Sequence, residues 1–119
     1  MSQNANNIPV IDILDRRRGD TFPFQFRILL DGVAYNGEGK TLTMSVTAEP
    51  RPTTANYVFQ LTGADGGDGV ISFPITEEQA DVVGRFYYDV EERHEGIIKT
   101  LVEGVLLFKQ DRTKEPVSG

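Results

Sequence analysis

The chain is 119 residues long, carries 18 acidic residues against 12 Lys and Arg for a formal net charge of -6, and contains no cysteine and no tryptophan. That length suits one domain with one core, and the acidic balance argues against nucleic acid as a partner, because phosphate binding draws on clustered Lys and Arg. Without cysteine there are no disulfides, thiolate metal sites or cysteine nucleophiles, and no apolar run approaches the ~20 residues of a membrane helix.

Apolar residues recur mostly at every second position, which is the mark of half-buried strands. Residues 1–8 read as a polar N-terminal arm, lacking the basic flank and apolar run of a secretory leader. Residues 8–14 read as a first short strand, with Pro9 at an edge or opening position. Arg16, Arg17 and Arg18 then lead into a turn at Gly19-Asp20. In residues 22–30, Phe22, Phe24, Phe26, Ile28 and Leu30 alternate with their neighbours, so one bulky face is expected to line a core.

Asp31-Gly32 can reverse the chain in a hairpin, and Asn36-Gly37 marks a second turn. Residues 40–48 alternate again, with Leu42, Met44, Val46 and Ala48 inward. Pro50 and Pro52 break the pattern into a loop. Residues 57–61 and 70–75 read as a strand pair around a glycine-rich turn at residues 63–69. Thr76-Glu77-Glu78-Gln79 has the spacing of a capping box, so a short helix is expected to begin there and end by Gly84. Residues 85–91 form the next expected strand, with Phe86, Tyr88 and Val90 on one face. A turn at His94-Glu95-Gly96 precedes a long last strand over residues 97–109, with a kink expected at Gly104. Residues 111–119 read as a polar tail.

About seven short strands separated by turn signals argue for an all-β sandwich. The expected architecture is an immunoglobulin-like β-sandwich over residues 9–110, with one short helix in a crossover.

Signals for chemistry are sparse. His94 is the sole histidine and sits in a run of charges, Glu91-Glu92-Arg93-His94-Glu95, which reads as a solvated turn rather than an acid/base centre. Ser2, Ser45, Ser72 and Ser118 lie outside any nucleophile-elbow setting. Asp65-Gly66-Gly67-Asp68-Gly69 offers carboxylates, but the alternate spacing and closing Glu of a calcium loop are missing, since Thr76 stands eleven residues after Asp65. Gly37-Glu38-Gly39-Lys40-Thr41 lacks the first glycine of a phosphate loop and precedes a strand. Arg18-Gly19-Asp20 is a tripeptide that integrins read on exposed loops, though Gly-Asp before a strand is also ordinary turn chemistry. No catalytic residue, metal site or cofactor is expected. The arginine run suits bidentate contacts to a neighbour's carboxylates; together with the loop it makes Arg16, Arg17, Arg18, Pro50, Arg51 and Pro52 the expected partner-binding residues.

Several segments in order resemble the N-terminal module of the phage baseplate upper protein family. They are Arg18-Gly19-Asp20-Thr21-Phe22-Pro23-Phe24 after a short strand, a strand at residues 42–46, and Gly69-Val70-Ile71-Ser72-Phe73-Pro74-Ile75-Thr76 running into a short acidic helix that ends by Gly84. Gly84-Arg85-Phe86-Tyr87-Tyr88-Asp89-Val90 and a closing strand at residues 99–108 complete the set, which covers residues 11–111. The resemblance implies an immunoglobulin-like fold and a connector role in tail baseplates or similar virion assemblies. It brings no catalytic residues, and the chain lacks the long C-terminal extension of the larger members.

The expectation is therefore a non-enzymatic virion structural protein, an adaptor in the tail or baseplate held in several copies by contacts with other virion proteins. A capsid decoration protein or head-fibre base is the nearest alternative. A carbohydrate- or receptor-binding module is a third, with Tyr35, Tyr57 and Tyr87 as the candidate rings; a small hydrolase comes last.

Overall fold

A computed structural model describes residues 8–50 and 56–110. Among these residues nine strands form: β1 (Ile13–Arg17), β2 (Phe24–Arg27), β3 (Leu29–Leu30), β4 (Val33–Ala34), β5 (Thr41–Thr47), β6 (Phe59–Gly67), β7 (Val70–Phe73), β8 (Gly84–His94) and β9 (Ile97–Lys109). Seven make one sheet in the order β1-β9-β8-β5-β6-β7-β2, and β3 with β4 makes a separate hairpin. All pairings are antiparallel except that of β1 with β9. The protein is all-β.

Strand β6 joins two layers. Phe59 to Gly63 pairs with β5, whereas Ala64 to Gly67 pairs with β7. The sheet curls there, and β2 and β7 fold back over β5, β8 and β9. A Cβ on Gly63 would lie 2.4 Å from the Phe73 ring, so only glycine lets that ring close the curl against the backbone.

Alternation supplies the inward faces: Phe24 and Phe26 from β2, Leu42, Met44 and Val46 from β5, Phe59 and Leu61 from β6, Ile71 and Phe73 from β7, Tyr88 and Val90 from β8, and Leu106 and Phe108 from β9. The rings interlock across the layers. Phe26 stacks on Tyr88 with centroids 5.7 Å apart and meets Phe73 edge-on at 6.1 Å, while Phe108 takes the edges of Phe59 and Phe86. Such pairs add about 0.5–1.5 kcal/mol each beyond the area they bury.

Three hairpins turn on the same two-residue device. Asp31-Gly32, Asp68-Gly69 and Glu95-Gly96 have φ of 53° and 79°, 54° and 81°, and 52° and 82°. Positive φ at both central residues is the type I′ turn, whose twist matches that of the flanking strands. All three tips lie at one end of the molecule, here the lower end. The β1–β2 turn, the β5–β6 connection and the β7–β8 crossover lie at the upper end.

Several expectations are corrected. The helix after Thr76 does not form. The capping box does: Gln79 N–H donates to Thr76 Oγ1 at 3.1 Å, and Thr76 N–H donates to Gln79 Oε1 at 3.0 Å. Ala80 N–H donates to the Thr76 carbonyl, completing one turn, but the Ala80 carbonyl then accepts from Gly19 and Val82. It is thereby withdrawn from the Gly84 N–H that a second helical turn would need. The buried face of residues 22–30 is shorter than expected: Phe22 is 71% exposed and Leu30 39%, because β2 opens only after Pro23 and Leu30 belongs to the β3–β4 hairpin. The glycine-rich stretch is mostly strand, with the turn confined to Asp68-Gly69. The irregularity in β9 falls at Leu101, between Thr100 paired with Glu91 and Val102 paired with Val90, not at Gly104.

Candidate binding groove and sheet edge

The outward faces of β5, β6 and β8 are polar, and among the described residues no other strand covers them. Thr43, Ser45 and Thr47 stand beside Gln60 and Thr62 on one side and Tyr87, Asp89, Glu91 and Arg93 on the other, with Glu103 of β9 beyond. Pro50 and Tyr57, from the β5–β6 connection, overhang the upper end. Together they enclose a groove of about 460 Å³. Between Tyr87 and Arg93 the groove follows β8 for about 20 Å at the rise of an extended strand.

Its electrostatics are set by register. Asp89 stands directly opposite Ser45 on β5 and Glu103 on β9. Burial, with Glu91 and Glu103 nearby, pushes the Asp89 carboxyl up to about 6. Both effects act against the ionised form: partial desolvation, then like charges. Glu91 is partly relieved by Arg93 at 3.8 Å. Gln60 Nε2 donates to Ser45 Oγ at 2.9 Å and fixes the neighbouring floor.

The arginine run is divided by a β-bulge. Ile13 pairs with Leu106 and Arg16 with Phe108, so β1 carries one extra residue over this stretch. An extra residue reverses the parity of the strand. Arg16 therefore turns inward, is 8% exposed, and lies with its guanidinium carbon 4.0 Å from the Phe24 ring centroid. It donates to the Phe22 carbonyl, linking β1 to the segment that leads into β2 across the mouth of the sandwich. Among the described residues its Nε has no hydrogen-bond partner, and burial lowers its pKa. Arg17 donates to the Gln110 carbonyl at 3.3 Å, and Arg18 lies 3.7 Å from Asp81. The run is thus spent largely within the fold. Pro50 lies on the rim of the groove; Arg51 and Pro52 lie outside the described residues.

Other sequence candidates fall into structural positions. Asp20 closes its turn by accepting from Arg17 N–H at 3.0 Å. Asp65 accepts from Gly37 N–H at 2.9 Å and Gly67 N–H at 2.8 Å, tying the glycine-rich bulge to the loop before β5. Tyr35 is buried, donates to Glu92, and carries Lys40 5.1 Å from its ring centroid. Lys40 lies 3.4 Å from the same Glu92. His94 sits at the lower hairpin tip, 3.6 Å from Glu95. Of the three candidate tyrosines, Tyr57 and Tyr87 both line the groove and Tyr35 does not. Sequence reading missed Asp89, Glu91 and Glu103; the outward phase of β8 and β9 was the available signal.

A second exposed feature is the free edge beside β9. Residues 9–11 bond to β9 in parallel, through Ile11 N–H to the Glu103 carbonyl at 2.9 Å and Glu103 N–H to the Pro9 carbonyl at 3.1 Å. Val10, at an isolated bridge to Glu103, and Leu14, in β1, are 65% and 50% exposed.

No family model matches the chain, and no curated protein matches it either. Solved structures that resemble it include an endo-fucoidan hydrolase of glycoside hydrolase family 107, at 16% identity and a TM-score of 0.46 over 87% of this chain and 13% of that one. The insect immune protein hemolin resembles it at 15% identity and a TM-score of 0.45, over 93% of this chain and 28% of that one. The chain thus spans less than a third of either protein.

Proposed function

We propose that this chain is an immunoglobulin-like module that acts without catalysis, as a connector in the tail or baseplate of a phage particle. Strand order supports the immunoglobulin-like reading. β2, β7 and the second half of β6 make one layer, β5, β8 and β9 make the other, and β1 runs parallel along the last strand, as in a sandwich of that class. The placement in a virion rests on the ordered segments between residues 11 and 111 that resemble baseplate upper proteins.

The observation that carries the connector role is the outer edge formed by the bridge at Val10 and the start of β1 at Ile13 and Leu14. It combines a backbone edge with no strand beyond it among the described residues with the exposed apolar side chains of Val10 and Leu14. Such an edge invites a partner's strand, with main-chain hydrogen bonds for affinity and side chains for selectivity. Localising the chain in purified particles by electron microscopy tests the proposal. Density at the tail, in a handful to a few dozen copies, is the expected result. Hundreds of copies on the shell would transfer the chain to capsid decoration, and absence from particles would overturn the reading.

A further inference from the structure

We infer that the groove over β5, β6 and β8 is a second interaction surface, one that takes a partner polypeptide by seating a Lys or Arg side chain between Asp89 and Glu103 beside Tyr87. This goes beyond the connector reading and uses a different face from the β1 edge.

Charge complementarity names the occupant. The groove places Asp89, Glu91 and Glu103 together, and the one cation among its described residues, Arg93, is already within 3.8 Å of Glu91. The net excess of negative charge therefore sits at Asp89 and Glu103, directly opposite each other on β8 and β9. Like charges facing across strands are mutually destabilising, and among the described residues neither carboxylate makes a hydrogen bond or ion pair. An incoming guanidinium or ammonium relieves that repulsion. Tyr87 on the same face and Tyr57 at the rim add ring surface of the kind that attracts cations.

A neutral glycan would use the rings but leave the crowded carboxylates uncompensated. The length of the groove, about 20 Å along an extended strand, accommodates roughly six residues of peptide. The groups facing Asp89 are Ser45 on β5, Glu103 on β9, and Tyr87, Glu91 and Arg93 on its own strand, with Gln60 reaching in from β6. Of these only Arg93 is cationic, so a bound cation draws the Asp89 carboxyl downward and releases its proton.

The test is nuclear magnetic resonance titration of the full chain with a blocked Gly-Gly-Arg-Gly-Gly peptide, against the same peptide with Gln for Arg. Shifts confined to Ser45, Gln60, Asp89 and Glu103 are expected for the Arg peptide alone. Affinity should weaken several-fold as pH falls from 7.5 to 5, and at least tenfold in D89N/E103Q. The control pair E77Q/E78Q, on the β7–β8 crossover, should bind as the parent does. Equal shifts from the Gln peptide, insensitivity to D89N/E103Q, or shifts in the groove with a neutral oligosaccharide alone would each overturn the inference. The fold of D89N/E103Q is checked beforehand by its amide shifts away from the groove; should they depart from the parent's, the single variants E103Q and D89N are read instead, against the same thresholds.

Discussion

Asp89 and Arg16 are charged side chains held in positions that disfavour their charge, and each makes a measurable claim. The Asp89 carboxyl is raised to about 6 by burial and by Glu91 and Glu103. Between the ordinary aspartate value and about 6, the folded state holds more protons than the unfolded chain, so stability falls as pH rises through that window and levels off above it. D89N removes the penalty: it should raise stability at pH 7 by about 1 kcal/mol, after allowance for solvent screening, and flatten urea midpoints measured between pH 4 and 6. Arg16 is the reverse case. Its guanidinium fills the mouth of the sandwich over Phe24 and satisfies the Phe22 carbonyl. R16A leaves that carbonyl unpaired and a void beside the ring, costing about 2–4 kcal/mol in denaturant melts. R16M keeps most of the packing and should cost clearly less.

Gly104 shows how a single residue serves an element. It pairs with Tyr88, and a Cβ there would fall 2.1 Å from the Ile11 carbonyl oxygen. The missing side chain lets residues 9–12 lie against β9 and lets the Tyr88 hydroxyl donate to Ile11. G104A should therefore release the N-terminal segment. Hydrogen exchange at Ile11 is the readout, with protection lost there before the core strands are affected. The one-turn capping box at Thr76 and Gln79 is an exposed local feature, so T76A should cost only about 0.5–1 kcal/mol in thermal melts. A much larger loss would mean that the crossover supports more of the core than its hydrogen bonds suggest.

Across the whole molecule, the sheet leaves two outer strands, β1 and β2, with Arg16 between them, and a polar outer face on β5, β6 and β8. The proposed connector role belongs to the edge at residues 10–14. L14D places a charge on an exposed position and should leave the melting temperature within about 2–4 °C of the parent. Incorporation into particles should nonetheless fall sharply, as followed by blotting of purified virions. Unchanged incorporation would remove the edge from the interface.

Much of the framework was legible in the residues alone. Period-two alternation placed Leu42, Met44 and Val46 of β5 and Tyr88 and Val90 of β8 inward, though Ala48, expected inward as well, lies beyond the end of β5 and is exposed; the dipeptides Asp31-Gly32 and Glu95-Gly96 located two of the reversals, because strand parity and positive-φ turns are local properties of a chain. The reciprocal capping bonds at Thr76 were readable for the same reason. Tertiary structure alone decided what lay beyond: the bulge that turned Arg16 inward, the capture of the Ala80 carbonyl by Gly19 that stopped the helix, and the register that set Asp89 against Glu103. Each depends on partners distant in the chain, and a one-residue shift in pairing reverses which side chains meet.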